Sequence, residues 1–127
     1  MLSPVELLNQ CRLNIKEIDV ETLSGVPVQT ACIIDVREPG EFAQGRVPGS
    51  VNIPRGVLET QLCNHPMVIG TAEPLETLAS KDIYLICRSG GRSALAAESM
   101  QKMGFKTVYS VAGGMLSWEK SGYQLEK

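Results

Sequence analysis

The stretch DIYLICRSGGRSALAA, residues 82–97, joins an apolar segment to a helical one through a loop of arginine, serine and glycine. Its first six residues, 82–87, have the length of a strand, and their nearly unbroken apolarity is typical of a strand buried on both faces. The residues from Arg92 to Met103 have helical periodicity, and Gly104 is suited to end the helix. The apolar face of this helix consists of Ala96, Met100 and Met103. The stretch therefore predicts a buried strand, a tight loop and a helix in direct succession.

The rest of the chain repeats this alternation of short apolar runs and helical segments. Further strands are predicted at 15–18, 31–36, 107–111 and within 47–54, and helices at about 4–13, 19–25, 38–46, 56–62, 72–80 and 113–123. Strands that alternate with helices and are apolar throughout indicate an α/β fold, with a parallel sheet covered by helices on both faces. In such a sheet functional groups gather at the carboxyl ends of the strands. Two loops meet this condition, the loop after Val36 and the loop after Cys87.

Composition and charge restrict the function classes. The length of 127 residues fits one domain, so we expect a single domain over 1–127, and 43% hydrophobic residues suffice for one core. The net charge of −2 has mixed signs along the chain, which disfavours nucleic acid and anionic membranes as partners. No apolar run approaches the ~20 residues that cross a bilayer. Residues 1–11 do not resemble a secretory signal, so a cytoplasmic location is expected.

The four cysteines, Cys11, Cys32, Cys63 and Cys87, lie far apart and form no C-x-x-C pair. Without a secretory context, free thiols are a better interpretation than disulfides. The single histidine, His65, has only Cys63 beside it, which is not a zinc ligand set, so we expect no metal and no cofactor. Apolar neighbours indicate that Cys11 and Cys32 are core residues.

The loop after Cys87 combines features that favour an anion. Gly90 and Gly91 permit backbone conformations that residues with side chains avoid, and successive amide N–H groups can then point into one concavity. The helix that begins near Arg92 adds its free N–H groups and the positive end of its dipole. Arg88 and Arg92 add two full charges nearby. The sequence therefore predicts an anion pocket in this loop.

A thiol at such a site is expected to ionise more readily than an ordinary cysteine, and the thiolate is the nucleophile. The alternative is that Cys87 is a small core residue, because free cysteine is among the most buried residue types. This alternative leaves unexplained the two glycines and two arginines in the next five positions. We therefore predict that Cys87 is the catalytic residue. The predicted substrate-binding residues form the loop that follows it: Arg88, Ser89, Gly90, Gly91, Arg92 and Ser93.

Three segments, in this order, resemble the rhodanese family, and the resemblance covers about residues 15–122. IIDVREPGEFAQGRVPGSVNIP (33–54) resembles its first signature, IYLICRSGGRSALAA (83–97) its active-site strand and loop, and VYSVAGGMLSWEKSGY (108–123) its closing helix. The resemblance implies a three-layer α/β/α rhodanese-like domain with a five-stranded parallel sheet. One departure is Arg46, which stands where many relatives have histidine, and we expect it to face solvent.

The resemblance also implies a reaction. Cys87 would accept a sulfane sulfur as a persulfide, cradled by the backbone of residues 88–92. The family's commonest activity is that of a thiosulfate:cyanide sulfurtransferase. The implied partners are a small anionic sulfur donor, either thiosulfate or a persulfide, and a thiophilic acceptor such as cyanide or a thiol. Because a second nucleophile takes the sulfur from Cys87, ping-pong kinetics are expected.

Two other interpretations stay open. The domain could be a sulfur-relay protein or a partner-binding module, with a partner surface in the weakly patterned residues 55–80. Cys63 could then be a resolving thiol, although we expect it to be structural or on the surface. Arsenate reductases and phosphatases also use a loop from cysteine to arginine. Phosphate-hydrolysing loops, however, are one residue longer than the six residues from Cys87 to Arg92, and the sequence shows no general acid for a leaving group.

The polar residues of the first loop have structural explanations. Asp35 can cap the short helix that follows, so no catalytic part is expected for it. Arg37 can pair with Glu41 four positions later. Three further expectations concern other regions: Trp118 in the core, residues 112–114 at the wall of the pocket, and His65 in a loop without a function.

Overall fold

The computed structural model describes all 127 residues and contains one five-stranded sheet. The strands are β1 (Lys16–Ile18), β2 (Cys32–Asp35), β3 (Val51–Asn52), β4 (Ile83–Ile86) and β5 (Val108–Val111). Every neighbouring pair is parallel, and the order across the sheet is β1-β5-β4-β2-β3. The prediction of an α/β fold with a five-stranded parallel sheet is therefore confirmed.

Seven α-helices connect and flank the strands. They are α1 (Pro4–Arg12), α2 (Val20–Ser24), α3 (Pro39–Gln44), α4 (Leu58–Gln61), α5 (Pro74–Ala79), α6 (Gly91–Met103) and α7 (Gly114–Lys120). Two 3-10 turns, Arg55–Val57 and Leu62–Asn64, flank α4, so the weakly patterned residues 55–80 fold as turns and two short helices. None of the helices is both long enough and apolar enough to cross a bilayer.

The two faces of the sheet bury separate cores, because successive side chains of a strand point to opposite faces. In β2, Cys32 and Ile34 belong to one core and Ile33 to the other. The first core receives apolar side chains from α4, α5 and α6: Leu58, Leu78, Ala96, Ala97 and Met100. The second receives them from α2 and α7: Val20, Leu23, Met115 and Trp118. Helices therefore cover both faces of the sheet, and Trp118 is a core residue, as predicted.

Helix α1 lies against the start of α6. Ser3 begins α1 with a capping box, as the sequence indicates. Cys11 is buried, as predicted, and its thiol donates to the carbonyl oxygen of Ala94 in α6 at 3.2 Å. The Leu8 side chain lies 3.5 Å from the position that a Cβ on Gly91 would occupy. Helix α1 thus reaches the loop that follows β4.

His65 lies in a loop, as predicted, but its ring is buried and organises that loop. Its Nδ1 accepts a hydrogen bond from the Met67 amide at 3.1 Å, and its Nε2 lies 3.7 Å from the Cys32 sulfur. Burial lowers the pKa of His65 and raises the pKa of Cys32 to about 11. Cys32 is therefore a structural thiol in the core, as the sequence predicts.

Two side chains differ from a simple surface or core placement. Arg46 lies on the surface, as expected, but is only partly exposed, because it pairs with Glu126 at 3.2 Å and lies 4.7 Å above the centre of the Phe42 ring. A short antiparallel bridge between the backbones of Arg46 and Glu126 holds the C-terminal segment there. Met103 is 43% exposed rather than buried, since Phe105, the first residue after Gly104, fills the core at the end of α6.

Candidate active site

The two loops predicted to carry function are neighbours. Strands β2 and β4 pair directly, with Asp35 opposite Ile86, and the Val36 amide donates to the Ile86 carbonyl oxygen at 2.9 Å. The chain therefore leaves both strands at the same edge of the sheet, which is where parallel α/β sheets hold their functional groups.

Gly90 makes the turn between Cys87 and α6. It has φ +105° and ψ −5°, in the left-handed region that favours glycine. A Cβ there would also lie 3.4 Å from the Gly113 nitrogen. Gly91 does not have a positive φ, so only one of the two predicted glycines takes a conformation closed to other residues. Gly90 is the residue that bends the loop.

The sulfur of Cys87 lies inside the bend. It accepts hydrogen bonds from the Gly90 amide at 3.1 Å and the Ser93 amide at 3.4 Å, and the Ser93 hydroxyl lies 3.4 Å away. N–H groups that converge on one point form a site suited to a negatively charged atom. The residue is 1% exposed, so the loop encloses the sulfur at the first turn of a 13-residue helix. The backbone donors expected from the sequence therefore surround the predicted nucleophile.

Ser110 is a further polar residue behind this loop, and sequence reasoning missed it. Its hydroxyl lies 2.8 Å from the Ser93 hydroxyl, and both residues are fully buried. The Ser93 hydroxyl also lies 3.3 Å from the Gly90 carbonyl oxygen. A serine inside the apolar strand TVYSV was the available signal, because a buried hydroxyl requires a partner.

The start of α7 fixes the loop from the other side. The Met115 and Leu116 amides donate to the carbonyl oxygens of Cys87 and Arg88, at 2.8 and 3.0 Å. A Cβ on Gly114, which has φ +53°, would overlap the Cys87 carbonyl oxygen and lie 2.7 Å from that of Arg88. The predicted wall at residues 112–114 is therefore confirmed, and Gly114 permits its close approach.

The sequence suggested that the charge of Arg92 is available beside the sulfur, but the structure has Arg92 in an ion pair. Its guanidinium forms two hydrogen bonds with the Glu41 carboxylate of α3, at 2.7 and 3.0 Å. These bonds lower the pKa of Glu41 to about 2 and raise the pKa of Arg92. The predicted pair of Arg37 with Glu41 is therefore wrong, because Arg92 holds the carboxylate.

Arg37 pairs with Asp35 instead. The Asp35 carboxylate accepts from the Arg37 amide at 3.0 Å and from its guanidinium at 2.8–3.1 Å. The guanidinium also donates to the Gly45 carbonyl oxygen at 2.8 Å. Asp35 is fully buried and does not cap the short helix α3, whose N-cap is Glu38. The loop after β2 is therefore stabilised by hydrogen bonds among its own residues and with Gly45.

Arg88 and Ser89 are exposed at the rim of the Cys87 loop. Arg88 takes part in no ion pair. It lines a cavity of about 230 Å³ together with Glu41, Met115 and Glu119. Arg88 is thus the loop arginine with an uncompensated charge.

A second arginine reaches the loop from α1, and sequence reasoning missed it. One terminal guanidinium nitrogen of Arg12 lies 3.8 Å from the position of a Cβ on Gly90. Arg12 also lies 3.6 Å from Glu17, so part of its charge is compensated. No local pattern connects a residue of α1 with a loop so far along the chain.

The largest cavity, about 850 Å³, lies at the opposite edge of the sheet. Its lining includes Ala31 and Asp82, which precede β2 and β4, but no cysteine. All four cysteines are free, and Cys63 lines a different shallow cavity of about 350 Å³ beside the start of α5. No three histidine, cysteine, aspartate or glutamate side chains are grouped so as to hold a metal ion. Only the Cys87 loop combines a thiol with convergent N–H donors.

The sequence profile of the rhodanese-like domain family matches residues 19–121. The chain therefore belongs to the rhodanese-like domain family. Helix α1, with Cys11 and Arg12, lies before the matched region.

Two curated relatives have names that refer to sulfur. A Bacillus subtilis protein named "Putative sulfur carrier protein" is 40% identical over 86 residues, which are 68% of this chain and 40% of the relative. The chain thus spans less than half of that protein. A protein of Allochromatium vinosum named "Sulfurtransferase" is 27% identical over 110 residues, 85% of this chain and 92% of the relative. Family and names together support sulfur transfer as the general function of the domain.

Two solved structures are similar over most of the chain. One is a protein of unknown function from Rhodopseudomonas palustris, described as a possible tyrosine phosphatase. It has a TM-score of 0.82 and 28% identity, and the similarity covers 99% of this chain and 96% of that protein's chain. The other is a rhodanese-related protein from Thermoplasma volcanium, with a TM-score of 0.68, 29% identity, and coverage of 87% and 97%. Together with the parallel sheet, these similarities define the rhodanese-like fold.

Proposed function

We propose that this protein transfers a sulfane sulfur from a small anionic donor to a thiophilic acceptor through a persulfide on Cys87. The observation that carries the proposal is the Cys87 sulfur, which accepts N–H donors from Gly90 and Ser93 at the start of α6. The same arrangement that favours a thiolate also suits the terminal sulfur of a persulfide anion.

The first half-reaction loads the enzyme. The Cys87 thiolate attacks the outer sulfur of the donor, so a new S–S bond forms to Cys87 and the S–S bond of the donor breaks. The electron pair of the broken bond leaves with sulfite when the donor is thiosulfate, or with a thiolate when it is a persulfide. No other oxidant or reductant is required.

The second half-reaction unloads the enzyme. The acceptor attacks the outer sulfur of the Cys87 persulfide, and the electron pair of the S–S bond returns to Cys87 as its thiolate. Cyanide would leave as thiocyanate, and a thiol would become a persulfide after loss of its proton. The acceptor attacks only after the first product has left, which gives ping-pong kinetics.

The loop residues divide these tasks. The backbone amides of Gly90 and Ser93 hold the reacting sulfur, and the exposed Arg88 and Ser89 meet the donor at the rim. The guanidinium of Arg92 contributes less charge than the sequence suggests, because Glu41 holds it. In this proposal Asp35 has no catalytic part, because its carboxylate is buried in the pair with Arg37.

A phosphatase function, as the description of the Rhodopseudomonas palustris protein suggests for that protein, is less well supported. Hydrolysis of a phosphate ester requires a general acid at the leaving group. Arg92 lowers the pKa of Glu41 to about 2, so Glu41 holds no proton at neutral pH. Asp35 is fully buried in its pair with Arg37.

The proposal is tested by intact-protein mass spectrometry after incubation with thiosulfate and again after addition of cyanide. The expected result is a gain of one sulfur atom that cyanide removes. The Cys87→Ser variant should gain no sulfur, and the matched Cys63→Ser variant should behave as the unaltered protein. A protein that gains no sulfur from thiosulfate or from a cysteine persulfide would contradict the proposal.

A further inference from the structure

The pair of Glu41 with Arg92 joins α3 to the first turn of α6 beside the candidate nucleophile. Two parallel hydrogen bonds, at 2.7 and 3.0 Å, fix the carboxylate and the guanidinium in register. Both side chains are about one third exposed, at 34% and 37%, so the pair lies at the rim rather than in the core. Glu41 also lines, together with Arg88, the cavity at the rim of the Cys87 loop. The pair therefore borders the rim from which we expect a donor to approach.

Of Arg37, Arg88 and Arg92, only Arg88 takes part in no ion pair. Arg92 is balanced by Glu41, and Arg37 by the buried Asp35. The remaining rim charge on Arg88 shares its cavity with Glu119. An arginine that recognises an anion through two hydrogen bonds needs a free guanidinium. The paired Arg92 therefore does not favour a dianionic ligand.

We propose that Glu41 is a specificity-determining residue: by occupying Arg92 it makes the loop favour a persulfide, whose sulfur group carries at most one charge, over the thiosulfate dianion as sulfur donor. This inference rests on the proposed function of Cys87. It assigns the donor class, and it gives Glu41 a role in choosing the donor rather than in the reaction itself.

The physical reason is the dependence of Coulomb energy on the charge of the donor. A carboxylate at the rim repels a dianion about twice as strongly as a monoanion at the same distance. The same carboxylate withdraws the guanidinium that would otherwise bind two sulfonate-type oxygens of thiosulfate. A persulfide group has neither the second charge nor those oxygens, so the reaction of a persulfide without a carboxylate depends on the backbone donors of the loop.

The favoured loading step balances without a further reactant. The Cys87 thiolate attacks the outer sulfur of a hydropersulfide, R–S–SH, and the proton stays on that sulfur. The S–S bond to Cys87 forms, the S–S bond of the donor breaks, and R–S⁻ leaves with the electron pair. The products are the Cys87 hydropersulfide and a thiolate.

The test compares loading rates of the whole protein with thiosulfate and with the persulfide of 2-mercaptoethanol, which has no carboxylate, measured by rapid quenching and intact-protein mass spectrometry. Glu41→Gln removes the charge and keeps the shape of the side chain. We expect its loading rate with thiosulfate to rise about three- to tenfold and its rate with the mercaptoethanol persulfide to change less than about twofold. The thiosulfate rate should also fall more steeply with added salt.

The matched control is Glu38→Gln. Glu38 is exposed at the beginning of the same helix and pairs with no arginine, so its variant changes the net charge equally and should keep the donor ratio of the unaltered protein. Thermal unfolding of both variants establishes that they fold. An equal rise in both variants would mean that net charge alone is responsible, and would overturn the role of Glu41.

A second pair of variants keeps the test decisive. Arg92→Gln leaves Glu41 unpaired and should slow loading by thiosulfate, whereas the double variant Glu41→Gln with Arg92→Gln should return towards the unaltered rate. An unchanged donor ratio in Glu41→Gln, or loss of loading with both donors, overturns the inference. Failure of the unaltered protein to load from either donor would instead contradict the proposed function.

Discussion

Cys32 and Cys87 are two buried thiols on neighbouring strands of one sheet, and their surroundings differ in kind. Cys32 is fully buried in β2 and faces the His65 ring, and burial raises its pKa to about 11. Cys87 is 1% exposed, yet its sulfur accepts two backbone N–H donors. The comparison teaches that two equally buried thiols can differ in their polar surroundings: burial raises the pKa of Cys32, whereas the oriented donors around Cys87 fit the reacting sulfur that we propose.

The largest effect should separate the two cysteines directly. We expect Cys87→Ser to lower sulfur loading at least ~1,000-fold, because a serine hydroxyl is a weak nucleophile at neutral pH. Cys32→Ala should retain loading and lose about 1–2 kcal/mol of unfolding free energy, because it leaves a small cavity in the core. Mass spectrometry and urea unfolding measure the two quantities. A Cys32→Ala variant that folds but does not load would break the comparison.

The next effect tests the loop that only Cys87 has. Gly114→Ala should lower loading by about 10- to 100-fold and destabilise the fold by about 2–4 kcal/mol, because its Cβ would overlap the backbone of residues 87–88. The control is Gly40→Ala in α3, where a Cβ meets nothing within 4 Å. Loading kinetics and thermal unfolding provide the measurements. Equal activity in the two variants would contradict the role of the backbone in holding the loop.

A smaller effect concerns the hydroxyl groups behind the sulfur. Ser93→Ala removes the hydroxyl 3.4 Å from the Cys87 sulfur, so we expect loading to slow about three- to tenfold. Ser110→Ala removes a hydroxyl that contacts Ser93 and not the sulfur, and it should have a smaller effect on the rate. Loading rates of the two variants with the same donor measure both effects. A larger loss of rate in Ser110→Ala than in Ser93→Ala would contradict the assigned order.

The smallest effect is on stability in acid. The pKa of Glu41 is lowered from 4.5 to about 2 in the folded protein, so its pair with Arg92 stabilises the fold above pH 4.5 and loses this contribution as the pH falls towards 2. Glu41→Gln should therefore lose less stability over that range than the unaltered protein. The difference should be at most ~1 kcal/mol, because the pair is partly exposed. Urea unfolding between pH 5 and pH 2, with Glu38→Gln as control, measures this difference. An equal loss of unfolding free energy in Glu41→Gln and the unaltered protein would contradict a stabilising pair of Glu41 with Arg92.

Much of the fold could be predicted because local patterns determine it. Continuous apolar runs mark β2, β4 and β5, and the stop at Gly104 marks the end of α6. The turn at Gly90 and the N–H donors around the Cys87 sulfur could be predicted because glycine conformation and helix N–H groups are local properties. Periodicity is a local signal, so it serves best where neighbours in sequence act together.

The errors share one cause, which is that the true partner is distant in sequence. Arg37 was paired with Glu41 by helical spacing, but Arg92 holds Glu41 across the edge of the sheet. For Arg46 the sequence predicts only a surface position, and its ion-pair partner, Glu126, lies in the C-terminal segment. Packing across the sheet decides such pairs, and one sequence contains no signal for it.

The central claim is that oriented backbone donors make Cys87 the reacting thiol, and residue-resolved mass spectrometry tests it most directly. The unaltered protein is treated with thiosulfate or cysteine persulfide, alkylated and digested, and the added sulfur is measured on each cysteine peptide. We predict that the sulfur is found on Cys87 and is absent from Cys32, although both thiols are buried. Added sulfur on Cys32 or Cys63 in amounts equal to Cys87, or none on Cys87, would contradict the account.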